Sequence, residues 1–157
     1  MIGVGAVTFI LAGKDDVEKP TTSTVGVDLS SVTGLDIGVN TVVLIVASVR
    51  KTTGAANSAS LGLKINGTQI KNNGTVFSTT NQVEQAIVWW LLAPRDANYQ
   101  AGYGVVMRTG EAVTQMFTND GVLPNAAITS VTLTGLVADA LITLRTSYLK
   151  VYKLAEA

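Results

Sequence analysis

The chain has no histidine and no cysteine among its 157 residues. Without imidazole, no side chain of ordinary pKa serves as a base near neutral pH, and the usual nitrogen ligand of zinc is missing. Without thiol there is no thiolate nucleophile, no thiolate metal ligand and no disulfide framework. Charge is also sparse: 14% of residues are charged, 11 basic against 11 acidic, where about 25% is ordinary. A net charge of zero leaves little repulsion between copies and no basic surface for nucleic acid. No apolar run approaches the ~20 residues of a membrane helix. These absences predict a non-enzymatic chain with no cofactor or metal, no nucleic-acid partner and no membrane span.

What is present is β-forming. Hydrophobic residues make up 47% of the chain, and the valines, isoleucines and threonines crowd short runs separated by turn residues. Thr41 to Arg50 is dense in β-branched residues and reads as the first core strand. Leu61, Leu63 and Ile65 alternate with Gly62 and Lys64, the period of a half-buried strand. Asn66-Gly67 follows as a hairpin turn, because a type I′ turn needs positive φ at both central residues. Thr68 to Lys71 returns, Asn72-Asn73-Gly74 makes a second turn, and Thr75 to Ser78 is a further strand. Lys14 to Thr24, with Pro20, reads as a loop, and Val25 to Leu29 as a short strand before a turn-rich passage through Gly34 and Gly38.

Glu84 to Ala93 carries both adjacent tryptophans. Turn residues before it and Pro94 after it favour a strand with both faces covered over a buried helix. Tyr103 to Arg108 and Glu111 to Thr118 flank Thr109-Gly110 as a hairpin, and Asn119-Asp120-Gly121 makes a turn. Ile128 to Leu136 and Leu141 to Leu154 are the last two strands. Within the latter the apolar phase switches from Ile142 and Leu144 to Leu149 and Val151. A bulge at Thr146-Ser147 absorbs the switch and sets Tyr148 and Tyr152 on the opposite face. The fold expected is all-β, an antiparallel, jelly-roll-like β-sandwich of about eight to ten strands. Residues 1–24 form an N-terminal arm or strand plus loop, and residues 25–157 a single sandwich domain.

Motifs with chemical meaning are few. Gly3-Val4-Gly5 lacks the preceding strand and third glycine of a dinucleotide fingerprint. Asn66-Gly67-Thr68 and Asn73-Gly74-Thr75 are formal glycosylation sequons that tight turns already explain. Asp15, Asp16 and Glu18 lack the spacing of a calcium loop and, with Lys14 and Lys19 among them, read as a solvated charge run. Glu84, Asp96, Glu111 and Asp120 could pair as glycosidase carboxylates, but nothing in the spacing joins them.

The candidate interface residues are apolar and aromatic. Ile2, Val4, Val7, Phe9, Ile10 and Leu11 are too apolar for a free tail. They predict a strand or arm, with an arm that crosses a subunit boundary as the sharper expectation. Trp89 and Trp90 must point to opposite faces of a strand, one into the core and one toward a second layer or a neighbour. Tyr99 and Tyr103 complete this aromatic centre, and Tyr148 and Tyr152 share a face near the C-terminus.

Ile128 to Gly135 (ITSVTLTG), then Leu141 to Arg145 and Leu149 to Leu154 (LKVYKL), resemble the closing strands of jelly-roll proteins in tailed-phage virions. The resemblance implies a virion structural protein of the head-decoration, minor-capsid or tail-module kind, commonly trimeric. A capsid decoration subunit on the capsid surface is favoured, with itself, the major capsid protein or other virion proteins as partners. A carbohydrate- or receptor-binding sandwich of a tail or fibre is the alternative, with Trp89 or Trp90, Tyr99 and Tyr103 as its platform.

Overall fold

The computed structural model describes residues 8–52, 57–77, 83–93, 102–108, 113–118 and 125–155. All regular structure among them is strand: β1 (Phe9–Asp15), β2 (Lys19–Thr21), β3 (Val27–Ile37), β4 (Val43–Lys51), β5 (Ala59–Ile65), β6 (Thr68–Phe77), β7 (Glu84–Leu92), β8 (Gly102–Arg108), β9 (Val113–Thr118), β10 (Ile128–Val137) and β11 (Leu144–Leu154). Two sheets form. The larger runs β1-β11-β4-β7-β8-β9, with β2 also pairing β11, and the smaller runs β3-β10-β5-β6. Every pairing is antiparallel.

The winding is that of a jelly roll. β1 pairs β11, β3 pairs β10, β4 pairs β7 and β5 pairs β6. The chain is therefore one long hairpin rolled up so that successive rungs alternate between the sheets. The β8–β9 hairpin widens the larger sheet beyond the four strands of the smaller one. The last two strands do not pair with each other: β10 lies between β3 and β5, and β11 between β1 and β4.

Between the sheets lies one core, with Val43, Ile45, Ala47 and Val49 of β4 facing Leu61, Leu63 and Ile65 of β5 and Val131 and Leu133 of β10 from the opposite sheet. The β5–β6 turn has Asn66 at φ 51 and Gly67 at φ 78, the positive angles a type I′ hairpin requires. The expected phase switch in β11 is present: Thr146 pairs Val49 and Tyr148 pairs Ser48, so Ser147 is the extra residue of a bulge. Leu144 and Thr146 are buried before it, Leu149 and Val151 after it.

Four expectations need correcting. Lys14 to Thr24 is not a plain loop, because β1 extends to Asp15 and Lys19–Thr21 adds β2, with Pro20 on a sheet edge where it forfeits little. β3 runs on through Gly34, whose φ of 69 belongs to an irregularity against β10 rather than to a chain reversal. Asn72-Asn73-Gly74 does not turn the chain: β6 is continuous, and the register shift between Leu61 and Leu63 absorbs the extra residue. Finally, β7 is a strand, but its own chain covers only one face: Ala86, Val88, Trp90 and Leu92 are buried, while Gln85, Ile87 and Leu91 are exposed.

Candidate functional site

Register fixes what the outer face of the larger sheet displays. Ile45, Ala47 and Val49 point into the core, so Leu44, Val46, Ser48 and Arg50 point out. Reading across the ladders gives three ranks. Tyr152, Leu44, Leu91 and Tyr103 stand side by side, then Lys150, Val46, Trp89 and Val105, then Tyr148, Ser48, Ile87 and Met107. The fourth rank, Arg145, Arg50 and Gln85, is polar. Tyr103 is 55% exposed, and Ile87, Leu91 and Met107 are also open to solvent. The ranks end at a depression of about 280 Å3 lined by Gln85, Ala86, Ile87, Met107 and Arg108.

The smaller sheet turns the opposite kind of surface outward. Ser31 and Thr132 hydroxyls lie 2.8 Å apart, and Lys64 Nζ meets Asp28 Oδ1 at 2.6 Å. Such a polar outer face is what an antiparallel sheet gives to water. Across β4, β7 and β8 the larger sheet instead presents mostly apolar side chains, about 300 Å2 in projection from strand and residue spacings, with Val105 and Ser48 buried among them.

The aromatic candidates divide accordingly. Trp90 is 3% exposed and belongs to the core, while Trp89, half-buried on the other face, joins Tyr103, Tyr148 and Tyr152 on the outer surface. Tyr99 lies outside the described residues, as do Ile2, Val4 and Val7. Phe9, Ile10 and Leu11 open β1, paired with Leu154, Lys153 and Tyr152 of the same chain. Leu44, Val46, Ile87, Leu91, Val105 and Met107 complete the platform without having been singled out in the sequence. For Leu44, Val46, Ile87 and Leu91 the signal was the apolar character of Thr41–Arg50 and Glu84–Ala93 in both alternation phases.

The acidic loop is a structural device. Asp15 Oδ2 accepts from Lys19 Nζ at 2.5 Å, the Ser30 hydroxyl at 2.8 Å and the Ser31 N–H at 3.2 Å, and Oδ1 accepts from the Val17 N–H at 3.2 Å. Burial pushes its carboxyl up, but these donors outweigh that and hold it down at about 2. Asp16 pairs Lys14 at 2.5 Å, and its hydrogen bond and charge raise the Lys14 ammonium above its ordinary range. Glu18 pairs Arg145 at 2.6 Å. No group of three or more potential metal ligands occurs among the described residues. Of the four candidate glycosidase carboxylates, Glu84 faces the fully buried Lys51 at 3.6 Å, and Asp96, Glu111 and Asp120 lie outside the described residues. Gly3-Val4-Gly5 lies outside them too.

Asn66, a formal sequon, spends its whole side chain internally. Its Nδ2 donates to the Ala127 carbonyl at 2.8 Å, and its Oδ1 accepts from the N–H groups of Thr129 and Ser130 and from the Thr129 hydroxyl.

No protein-family model matches the chain, and no curated protein matches it. Among solved structures, similarity is found to the carbohydrate recognition domain of Emp46p in its potassium-bound form (8% identity, 83% of this chain and 79% of that one, TM-score 0.46). It is also found to a legume lectin-like domain from Entamoeba histolytica (10% identity, 89% of each chain, TM-score 0.36). A third is VP2 in a subviral particle of infectious bursal disease virus (13% identity, 96% of this chain and 42% of that one, TM-score 0.27). At these values no ligand or partner transfers to this chain.

Proposed function

We propose that the chain is a non-enzymatic structural subunit of a virion, a homotrimeric capsid decoration protein that packs against its neighbours through the outer face of β7 and β8. The observation that carries this reading is that β7 carries Ile87, Trp89 and Leu91 on the face opposite its buried residues, with Ile87 and Leu91 exposed. Ile87, Trp89, Leu91 and Met107 supply an apolar centre, and Gln85 and Tyr103 a polar or amphipathic rim, the anatomy of a packing interface. The patch is smaller than the ~800 Å2 per partner of a stable binary complex. It therefore suits a trimer in which each subunit meets two neighbours, with contacts beside this face supplying the rest of each joint. The resemblance of residues 128–154 to virion jelly rolls points the same way, to a capsid surface and its major capsid protein.

Sedimentation of the purified chain should give a trimer. The variant Ile87→Glu/Trp89→Ser/Met107→Glu should keep its unfolding midpoint within a few degrees, because none of the three side chains lies in the core, yet sediment as a monomer. A wild-type monomer at all concentrations overturns the trimer, and an unaltered assembly in the variant overturns the face. In cryo-electron microscopy of particles carrying the protein, β7 and β8 should face a neighbouring subunit. If they face solvent, the docking reading is wrong.

A further inference from the structure

The β1–β11–β4 side of the same sheet has a different chemistry. Lys14 points outward, since its neighbour Gly13 faces Val32 and Leu35 of the opposite sheet. Arg145 points outward between buried Leu144 and Thr146, Lys150 between buried Leu149 and Val151, and Arg50 between buried Val49 and Lys51. The ladders place Lys14 directly opposite Lys150, and Arg145 directly opposite Arg50. Like charges set opposite each other across a ladder destabilise a sheet, so two such pairs in one strip are not explained by folding. Lys14 and Arg145 are offset by Asp16 and Glu18. Among the described residues, four cations against two carboxylates leave a surplus of two positive charges on this strip, in a chain of zero net charge.

Aromatic rings alternate with these cations along β11: Arg145, Tyr148, Lys150 and Tyr152 are its successive outward residues. Lys150 Nζ sits 4.8 Å from the centroid of the Tyr148 ring. The tyrosine hydroxyls add hydrogen-bonding groups on the same strip. From β11 to β8 the sheet makes three strand steps, which at about 20–25° each turn the outer faces of these two strands some 60–75° apart. The two sides can be occupied by different partners.

We infer that this strip binds a carboxylated polysaccharide, with Arg50 and Lys150 meeting carboxylates and Tyr148 and Tyr152 stacking on sugar rings. Sparse, spaced positive charge beside stacking rings and hydroxyls matches a polymer with widely spaced carboxylates and many hydroxyls. A nucleic-acid strand calls for a groove of continuous positive potential along its phosphates. This inference does not depend on the assembly reading.

The test is biolayer interferometry of the intact protein against polygalacturonate, hyaluronate and polysialate, with dextran and an oligo-dT strand as comparisons. At least one carboxylated polymer should bind, more weakly as salt screens the exposed charges. Arg50→Gln/Lys150→Gln should lower that affinity about tenfold or more with the unfolding midpoint and sedimentation unchanged. Tyr152→Ala should lower it while leaving the salt dependence intact. The inference is overturned if none of the three acidic polymers binds, if dextran or oligo-dT binds as well as the best of them, or if the double variant binds like the wild type.

Discussion

Asp15 carries more of the fold than its place in a charged loop suggests. It ties the β1–β2 turn to Ser30 and Ser31 of β3, and so one sheet to the other. Its folded-state pKa of about 2 lies below the ordinary 3.8, so folding favours the ionised form. The stability this contributes is fully present above about pH 4 and is lost as pH falls toward 2. Urea midpoints measured between pH 5 and pH 2 should decline for the wild type, and Asp15→Asn should flatten part of that decline while lowering the midpoint at pH 5. Equal slopes in the two proteins would falsify this role. Asn66 shows how a residue can be read correctly and incompletely at once. Asn-Gly specifies the turn from backbone angles alone, but the four contacts its amide makes with the start of β10 involve residues more than sixty positions away.

At the scale of the element, β11 organises the larger sheet, pairing β1, β2 and β4. Its bulge lets one strand present Leu144 and Thr146 and then Leu149 and Val151 to the same core. Because Ser147 is the unpaired extra residue, deleting it should leave a regular ladder with every inward side chain still inward. Deleting Lys150 instead would turn either Leu149 or Val151 out of the core. Circular dichroism and thermal melts should show a folded Ser147 deletion and an unfolded or far less stable Lys150 deletion. A Ser147 deletion that fails to fold means the bend itself is needed for sheet closure. The phase switch was legible in the sequence because period-2 burial leaves a trace when it breaks. The continuity of β6 was not, because an Asn-Asn-Gly run has the same composition whether it turns the chain or sits in an irregular ladder.

The whole molecule depends on how closely its sheets approach. Gly135 of β10 marks one point of contact: a Cβ there would lie 2.4 Å from Leu29 Cδ1 and 2.8 Å from Leu144 Cδ2 of the opposing sheet. Gly135→Val should therefore overpack the joint and cost about 1–3 kcal/mol, read as a lower urea midpoint with an unchanged slope. A variant as stable as the wild type would show that the sheets part without penalty there. The polar outer face of the smaller sheet and the apolar outer face of the larger one give the sandwich a wet side and a side suited to partners.

Composition and periodicity determined much of this by themselves: an all-β antiparallel sandwich, the type I′ turn at Asn66-Gly67, the strand at Glu84–Leu92, the opposed tryptophans and the bulge in β11. Each is a local consequence of side-chain alternation or of a backbone angle that few residues tolerate. Which tryptophan is core depended on the pairing of β7 with β4 and β8, since alternation assigns opposite faces without saying which is inside. Ile87, Leu91, Val105 and Met107 came together only through register between strands distant in sequence. The same holds for the opposed pairs Lys14–Lys150 and Arg145–Arg50, whose members are far apart in the chain and 4–6 Å apart at Cα across an antiparallel ladder, by about the usual spacing. Alternation is written into each strand, but the neighbour a strand takes is decided by the closing of the jelly roll, and the surfaces proposed for partners belong to those neighbours.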